Sequence, residues 1–165
     1  MTTRRNPSLA RWLIFCVPGV LLLGTLSGLA SGSSADDPWF QALVKPAINP
    51  PGATFGIVWP ILYVMMGVAL ALVGASPDSA LRRRALAAFA VQLLLNLAWS
   101  PTFFAGHRIG LALAILLALD VALIVTLVLF LRVRQAAGVL LLPYLAWVLF
   151  AAVLNWRFLQ LNPAA

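Results

Sequence analysis

The stretch WFQALVKPAINPPGATFGIVWPILY, from Trp39 to Tyr63, fills the longest gap between two hydrophobic segments and leads into the second of them. It combines two tryptophans, four prolines and the only lysine of the protein, Lys45. Proline fixes the backbone φ angle, so a proline-rich loop is stiff, whereas a plain connector is rich in glycine and serine. We therefore predict that this loop forms a rigid lid over a binding site. The predicted lid residues are Trp39, Lys45, Pro46, Pro50 and Pro51.

The composition of the chain is that of a membrane protein. Its 165 residues are 63% hydrophobic and 9% charged, whereas about a quarter of the residues in a soluble domain are charged. The net charge of +7 comes from basic residues at the ends of apolar runs, which favours membrane lipid over nucleic acid as a partner. One cysteine, Cys16, and one histidine, His107, exclude an intramolecular disulfide and a closed Cys/His metal cage.

Five apolar segments are long enough to cross a hydrocarbon core, which takes about 20 helical residues. The first follows Arg4 and Arg5 and imitates a secretory signal, but its 19-residue run exceeds the core of a signal peptide, about 7–15 residues, so we interpret it as a retained span. Short loops make neighbouring helices antiparallel. We predict one all-α domain, an integral membrane bundle of five transmembrane helices over residues 1–165, with spans at 12–30, 55–74, 85–105, 109–131 and 136–159 and a lid loop at 31–54.

Basic residues are distributed unequally between the two ends of the predicted bundle. The N-terminal segment and the second and fourth loops carry eight arginines, whereas the lid side carries only Lys45, Arg108 and Arg157. By the positive-inside rule the N-terminus is cytoplasmic and the lid faces outward. The excess of arginine over lysine and the many alanines favour a GC-rich bacterium, and hence a multi-pass protein of the bacterial cell envelope.

Polar and aromatic residues share one helical face in three of the spans. Polar groups inside a membrane are costly, so these faces are expected to point into the bundle. They would form a flat, polarizable wall with few hydrogen-bonding groups. Alternatively the stripes are core packing, with tryptophan and tyrosine at span ends forming an interfacial belt. The three stripes are Gln92, Asn96, Trp99, Ser100 and Phe103; Trp59, Tyr63, Met66 and Gly67; and Tyr144, Trp147, Ala151 and Asn155.

Several other residues have more than one interpretation. Asp120 lies in the middle of the fourth span, where an ionised carboxylate costs several kcal/mol, so it faces the pocket or a partner subunit, or is protonated. We interpret His107 as a turn residue rather than an axial porphyrin ligand, and Cys16 as inert. No nucleophile with a base and no carboxylate pair is recognisable, so side-chain catalysis is not indicated. Two small-residue stripes predict packing inside the bundle or a homodimer seam: Gly24, Gly28 and Gly32, and Ala114, Ala118 and Ala122.

Four ordered motifs resemble those of one known family. They are W-x5-K-P-x3-P-P from Trp39, V-W-P-x-L-Y from Val58, Q-L-x-x-N-x-x-W-S-P-x-F-F from Gln92 and P-Y-L-A-W-V-x-F-A-x-x-L-N from Pro143. The chain thus resembles the translocator protein family, also called tryptophan-rich sensory or TspO/MBR proteins, whose mitochondrial members are peripheral-type benzodiazepine receptors. The resemblance implies five transmembrane helices, usually a homodimer, and a central pocket closed by the loop after the first helix.

The resemblance also implies a ligand: a porphyrin such as protoporphyrin IX, haem, or another flat hydrophobic small molecule, with no obligatory cofactor and no metal. The implied function is that of a membrane tetrapyrrole-binding sensor or transporter in porphyrin and stress physiology. The alternatives are light-dependent porphyrin degradation, with Trp59 and Trp147 as redox partners, and translocation of sterols or small hydrophobic ligands. Motifs and stripes together predict the ligand-binding residues Trp59, Tyr63, Asn96, Trp99, Tyr144, Trp147, Ala151, Leu154 and Asn155.

Charge and departures from the family pattern refine these expectations. Porphyrin propionates need cations at the mouth of the pocket, and Lys45, Arg108 and Arg157 are predicted to supply them. The lid has Ile48 where many relatives have tryptophan, and Trp156 replaces the tyrosine of the mitochondrial cholesterol motif. We therefore do not expect sterol transport or strong isoquinoline binding. Leu111 and Ile115, at two further positions that differ from the family pattern, support this expectation.

Overall fold

A computed structural model describes residues 8–34 and 36–163 of the chain, and its regular elements are helices. Five stretches of helix are long and apolar enough to cross a membrane, which confirms the predicted all-α architecture of five spans. The helices are α1 (Leu9–Ala30), α2 (Pro38–Ala42), α3 (Gly52–Gly74), α4 (Ala80–Ser100) continued by a π-helical turn (Pro101–Ala105), α5 (Ile109–Val133), α6 (Gln135–Leu140) and α7 (Leu142–Leu161). The fifth span consists of α6 and α7 together.

Three spans begin earlier than their apolar runs indicate. The helix α4 begins at Ala80 and includes Arg82, because the Ser79 hydroxyl accepts a hydrogen bond from the Arg82 backbone N–H at 3.1 Å and caps the helix. Such a cap and the high helix propensity of arginine extend a helix beyond the hydrocarbon core. The helices α1 and α3 likewise start at Leu9 and Gly52.

The lid loop contains one short helix, α2, which follows Asp37. The Asp37 carboxylate accepts a hydrogen bond from the Phe40 backbone N–H at 2.8 Å, and Pro38 occupies the first helical position. Both features are favoured at helix N-termini. This part of the loop is therefore helical, and the rigidity of the lid stays a prediction.

The spans form a ring in the order α1, α3, α6–α7, α5 and α4. Most of the contact of α1 is with α3, whereas α5 packs between α4 and α7. The helix α3 packs on α6 but hardly touches α7. The bundle is thus compact at the end that carries Arg82–Arg84 and Arg132, which we call the arginine end, and more open at the opposite end, the lid end. Arg4 and Arg5 lie outside the described residues.

Glycines allow α1 and α3 to approach closely. A Cβ atom built on Gly24 would lie 2.2 Å from the Tyr63 ring, and one built on Gly67 would lie 2.6 Å from the Val17 Cα. Such contacts leave no room for a side chain, so Gly24 serves packing within the bundle. In the other predicted stripe, Ala114 and Ala118 lie on the exposed face of α5 rather than against another helix of the bundle. Homodimer formation stays a prediction.

Candidate functional site

A cavity of about 730 Å³ lies at the lid end of the bundle. Its volume falls in the range of about 300–1,000 Å³ that is typical of small-molecule sites. The wall is formed by α1, α3, α4, α5 and α7, and the lid lies across its end. Most lining side chains are apolar, and nine of them carry aromatic rings: Phe40, Phe55, Trp59, Tyr63, Trp99, Phe103, Phe104, Trp147 and Phe158.

The aromatic rings of the wall are held by contacts with one another. Trp59 stacks on Tyr63, with ring centroids 5.4 Å apart and an interplanar angle of 26°. Phe55 and Trp147 meet edge to face across the gap between α3 and α7, with centroids 5.8 Å apart. Aromatic pairs of this kind fix ring orientation as well as burying area. The cavity therefore has rigid, planar walls rather than mobile aliphatic ones.

A chain of hydrogen bonds runs from the cavity wall into the core. The Tyr63 hydroxyl donates to Asn96 Oδ1 at 3.2 Å, and Asn96 Nδ2 donates to the Tyr144 hydroxyl at 3.0 Å. The Tyr144 hydroxyl in turn donates to Gln92 Oε1 at 3.1 Å. These bonds join α3, α4 and α7 and fix the amide of Asn96 at the cavity surface.

The structure places Tyr144 behind the cavity wall. Its side chain is fully buried, with 0% exposure, and it does not line the cavity. The helical stripe correctly identifies the inward face of α7. Tyr144 lies on that face but behind the cavity wall, where its hydroxyl accepts a hydrogen bond from Asn96 and orients it. In this structure Tyr144 supports Asn96 from behind and does not itself line the cavity.

Asn155 fixes a second part of the wall. Its Oδ1 accepts a hydrogen bond from Trp99 Nε1 at 3.1 Å, while its Nδ2 donates to the Ile109 carbonyl at 3.0 Å. Asn155 is almost completely buried, so both halves of its amide need a partner. The two bonds join α4, α5 and α7 and hold the Trp99 indole against the cavity. Ala151 and Leu154, also predicted, line the cavity on the same helix.

Three contacts tie the lid to the bundle. Asn162, just after α7, pairs with the Val44 backbone: the Val44 N–H donates to Asn162 Oδ1 at 2.9 Å, and Asn162 Nδ2 donates to the Val44 carbonyl at 3.1 Å. Trp39 stacks on His107 with ring centroids 4.4 Å apart. Phe40 packs among the rings of Phe103, Phe104 and Phe158.

The predicted lid residues divide into two groups. Lys45, Pro50 and Pro51 line the cavity, whereas Trp39 and Pro46 do not. Trp39 contacts the turn between α4 and α5, and Pro46 is buried. The lid therefore has one side that faces the cavity and another that anchors it.

Of the three predicted cations, only Lys45 lies at the cavity. Its Nζ is 5.3 Å from the centroid of the Phe40 ring and donates to the Gln41 backbone carbonyl at 3.3 Å. Arg108 is exposed outside the lining, and Arg157 donates to Gln160 at 3.0 Å on the outer surface of α7. Counting charges assigned both arginines to the lid end of the bundle, and the structure has them there. It also predicted them at the cavity mouth, whereas neither one lines the cavity.

Several lining residues were not predicted. Phe55 lies one helical turn before Trp59, so the periodicity of α3 contained the signal for it. Leu116 and Leu119 come from α5, whose residues before Asp120 are all apolar or glycine and give no indication of which face is inward. Asp120 is buried with 6% exposure but does not line the cavity, and its Oδ1 has no hydrogen-bond partner among the described residues.

The part of the chain that the structure describes holds no cluster of three or more His, Cys, Asp or Glu side chains that could bind a metal ion. The cavity lining does include three residues with a buried polar atom that lacks a partner within that part: Asn49 Oδ1, Ser100 Oγ and Trp147 Nε1. Unpaired buried polar atoms cost free energy. These three atoms are therefore unsatisfied polar groups close to the cavity.

Comparisons with known proteins agree with the motifs. The model of the TspO/MBR family matches residues 16–161. The tryptophan-rich protein TspO of Chlorobaculum tepidum is 43% identical over 126 residues, covering 76% of this chain and 80% of the relative. The human translocator protein is 39% identical over 126 residues, covering 72% and 73% of the two chains.

A third relative extends the similarity almost to the whole chain. The tryptophan-rich protein TspO of Archaeoglobus fulgidus is 35% identical over 153 residues, which is 91% of this chain and 96% of the relative. Relatives from bacteria, an archaeon and a mammal thus share one sequence pattern with the five-span protein described above. The chain belongs to the TspO/MBR family of integral, multi-pass membrane proteins.

Proposed function

We propose that the protein binds a tetrapyrrole of the protoporphyrin IX type in the cavity and acts as a sensor or transporter of that ligand. The observation that carries the proposal is the combination of planar aromatic walls with a single cation at the mouth. A porphyrin is a flat, apolar macrocycle with two propionates on one edge. Trp59 and Trp147 offer faces and edges to the ring, and Lys45 offers a partner to a propionate.

The polar groups of the wall support the same proposal. Asn96 is held by Tyr63 and Tyr144, so the amide is oriented before a ligand arrives. Preorganised groups lower the entropic cost of binding. The names of relatives, translocator protein and tryptophan-rich sensory protein, describe those proteins and are compatible with either transport or sensing here. Haem, which shares the macrocycle and the propionates, fits the same description.

The test is a titration of the protein in nanodiscs with protoporphyrin IX, followed by quenching of tryptophan fluorescence. We expect saturable quenching, and each of Trp59→Phe and Trp147→Phe weakens affinity about fivefold, corresponding to roughly 1 kcal/mol for one aromatic contact. Trp156→Phe is the matched control, because Trp156 is 45% exposed on α7 and outside the cavity. Quenching that does not saturate contradicts the proposal.

A second candidate function is light-dependent oxidation of the bound porphyrin by molecular oxygen. It is favoured by one observation, the presence of two tryptophans, Trp59 and Trp147, on the wall of the same cavity. Indole rings are oxidisable, so they can exchange electrons with an excited ring beside them. Illumination of the complex in air then yields a new pigment, and the yield falls in Trp59→Phe and Trp147→Phe but not in Trp156→Phe. Equal bleaching in all variants contradicts an enzymatic role.

A further inference from the structure

The helices α1 and α3 are in contact along only part of their length. From the arginine end as far as Gly24 and Tyr63 they lie closely together, with Gly67 against the Val17 backbone. Beyond Tyr63 the contact ends. No atom of the described residues comes within 4 Å of a Cβ built on Gly56, and a Cβ on Gly28 meets only the Ser33 hydroxyl, at 3.2 Å. The two helices therefore separate toward the lid end.

The cavity reaches the outer surface of the bundle through this gap. Exposed residues of the cavity lining lie on both sides of this gap, namely Thr25 and Leu29 on α1 and Gly52, Gly56 and Pro60 on α3, and the other exposed lining residues belong to the lid loop. Each of the two neighbouring seams is bridged by a side-chain contact. Between α1 and α4 the Ser27 hydroxyl donates to the Leu97 carbonyl at 2.8 Å, and between α3 and α7 the rings of Phe55 and Trp147 meet.

The gap extends from the first residue of α3 into the part of the helix that is expected to lie in the hydrocarbon core. Pro60 is about 12 Å along α3 from its first residue, at 1.5 Å per residue. The outward side chains beside the gap are large and apolar: Leu26 and Leu29 are 58% and 73% exposed, and Ile57 and Ile61 are 63% and 55% exposed. In a membrane protein such side chains face lipid. The small residues at the gap are thus surrounded by a lipid-facing surface.

One side of the lid is anchored to the bundle, although Ser33, Ser34 and Pro51 of its cavity lining are exposed. Two hydrogen bonds join Val44 to Asn162, and Trp39 stacks on His107. A ligand that enters on the anchored side of the lid has to break these contacts, whereas a ligand already dissolved in the bilayer meets only the side chains of the gap.

We propose that the gap between α1 and α3 is a lateral portal, through which a flat amphiphilic ligand passes directly between the bilayer and the cavity. The inference rests on the proposed function for the identity of the ligand. The macrocycle enters at the level of Gly56 and Pro60, while its carboxylates stay at the headgroup level, where Lys45 lies at the lid end. The short side chain of Thr25 and the lack of a side chain at Gly56 keep the portal open.

The kinetic test narrows the portal from either side with Gly56→Leu and Thr25→Phe. Gly19→Leu is the matched control, since Gly19 is also a helical glycine with no atom of the described residues within 4 Å of a built Cβ, but lies outside the cavity. Association is followed by stopped-flow quenching with protoporphyrin IX, and dissociation by dilution into empty vesicles.

A portal controls rates and not equilibrium. In both portal variants we expect association and dissociation to slow about tenfold together, within the range over which association rates vary among related variants, while Kd changes less than about twofold. Gly19→Leu leaves both rates unchanged. Unchanged rates in the portal variants, together with faster exchange in Asn162→Ala, place the entrance at the lid and overturn the portal.

A second measurement is independent of porphyrin. A nitroxide on Gly56→Cys, in a Cys16→Ser background, reports whether the position meets lipid or water. We expect high accessibility to oxygen and low accessibility to a water-soluble nickel chelate, as for the same label on Gly19→Cys. The reverse pattern overturns the portal. Absence of saturable porphyrin binding with a lipid-accessible label would instead contradict only the proposed function.

Discussion

At the arginine end of the bundle α1 and α3 lie in direct contact, whereas at the lid end the same two helices separate beside the cavity. Glycine occurs in both places with opposite consequences. At Gly67 the Val17 backbone occupies the space that a side chain would take, whereas at Gly56 that space is empty. Small residues therefore do not by themselves indicate packing, and the partner across the gap decides what they do.

The aromatic residues of the two ends differ in the same way. Near the arginine end Phe89 and Phe130 stack in the core, with centroids 5.7 Å apart and exposures of 2% and 0%. At the lid end Trp59 and Trp147 are only partly buried and face a cavity. The rings of one half of the bundle pack in the core, whereas those of the other half surround an open cavity. Substitutions in the two halves should accordingly affect different properties.

The largest expected effect is a loss of stability from Gly67→Leu. A leucine here meets the backbone of Val17, which cannot move aside without displacing α1, so overpacking costs about 3 kcal/mol. The measurement is thermal unfolding in detergent. Gly19→Leu is the control and should unfold at the wild-type temperature, because its Cβ meets no described atom. Equal effects of the two substitutions would contradict the close contact of α1 and α3.

Tyr144→Phe removes the hydroxyl in the middle of the buried hydrogen-bond chain. It leaves Gln92 Oε1 and Asn96 Nδ2 each without a partner, which costs about 2 kcal/mol of unfolding free energy. Because Asn96 loses its orientation, porphyrin affinity also falls. Tyr63→Phe is the comparison, since it removes only the terminal bond and should cost about 1 kcal/mol. A wild-type affinity for Tyr144→Phe would show that Asn96 does not need this support.

Asn162→Ala tests the anchor of the lid. It removes both hydrogen bonds to the Val44 backbone, and the Val44 amide should then exchange its hydrogen about tenfold faster, as expected from the loss of roughly 1.4 kcal/mol. Global stability changes little because the anchor lies at the surface. Gln160→Ala serves as control, since Gln160 bonds only to the nearby Arg157 in the described structure. Unaltered exchange at Val44 would mean that the lid is held by its aromatic contacts alone.

The sequence predicted the spans and the aromatic wall because both depend on local periodicity. Apolar runs identified the five spans, and intervals of three and four residues placed Trp59, Asn96 and Trp147 on inward faces. The same periodicity could not show that Tyr144 lies behind the cavity wall. It indicates in which direction a side chain points from the helix, but not how far the side chain is from the cavity. Arg108 and Arg157 were placed at the mouth by charge counting, which identifies a side of the membrane only.

The anchor and the gap were beyond sequence reasoning for a related reason. Asn162 meets Val44 across 118 positions of the chain, and nothing local in either segment indicates the pairing. Whether Gly28 and Gly56 face a neighbouring helix or open space depends on the angle between α1 and α3. That angle follows from packing along the whole length of both helices, which no single motif specifies.

The smallest expected effect is that of Lys45→Gln on porphyrin affinity. Lys45 is exposed and its charge is screened, so pairing with a propionate contributes little, and the substitution should weaken binding about threefold at low salt. The difference should vanish at high salt, which separates a charge effect from a change in lid shape. Arg157→Gln is the matched control, because Arg157 lies outside the cavity and should bind porphyrin as the wild type does. A loss of affinity in Arg157→Gln equal to that in Lys45→Gln would mean that the ligand responds to the net charge of the lid end rather than to one cation at the mouth.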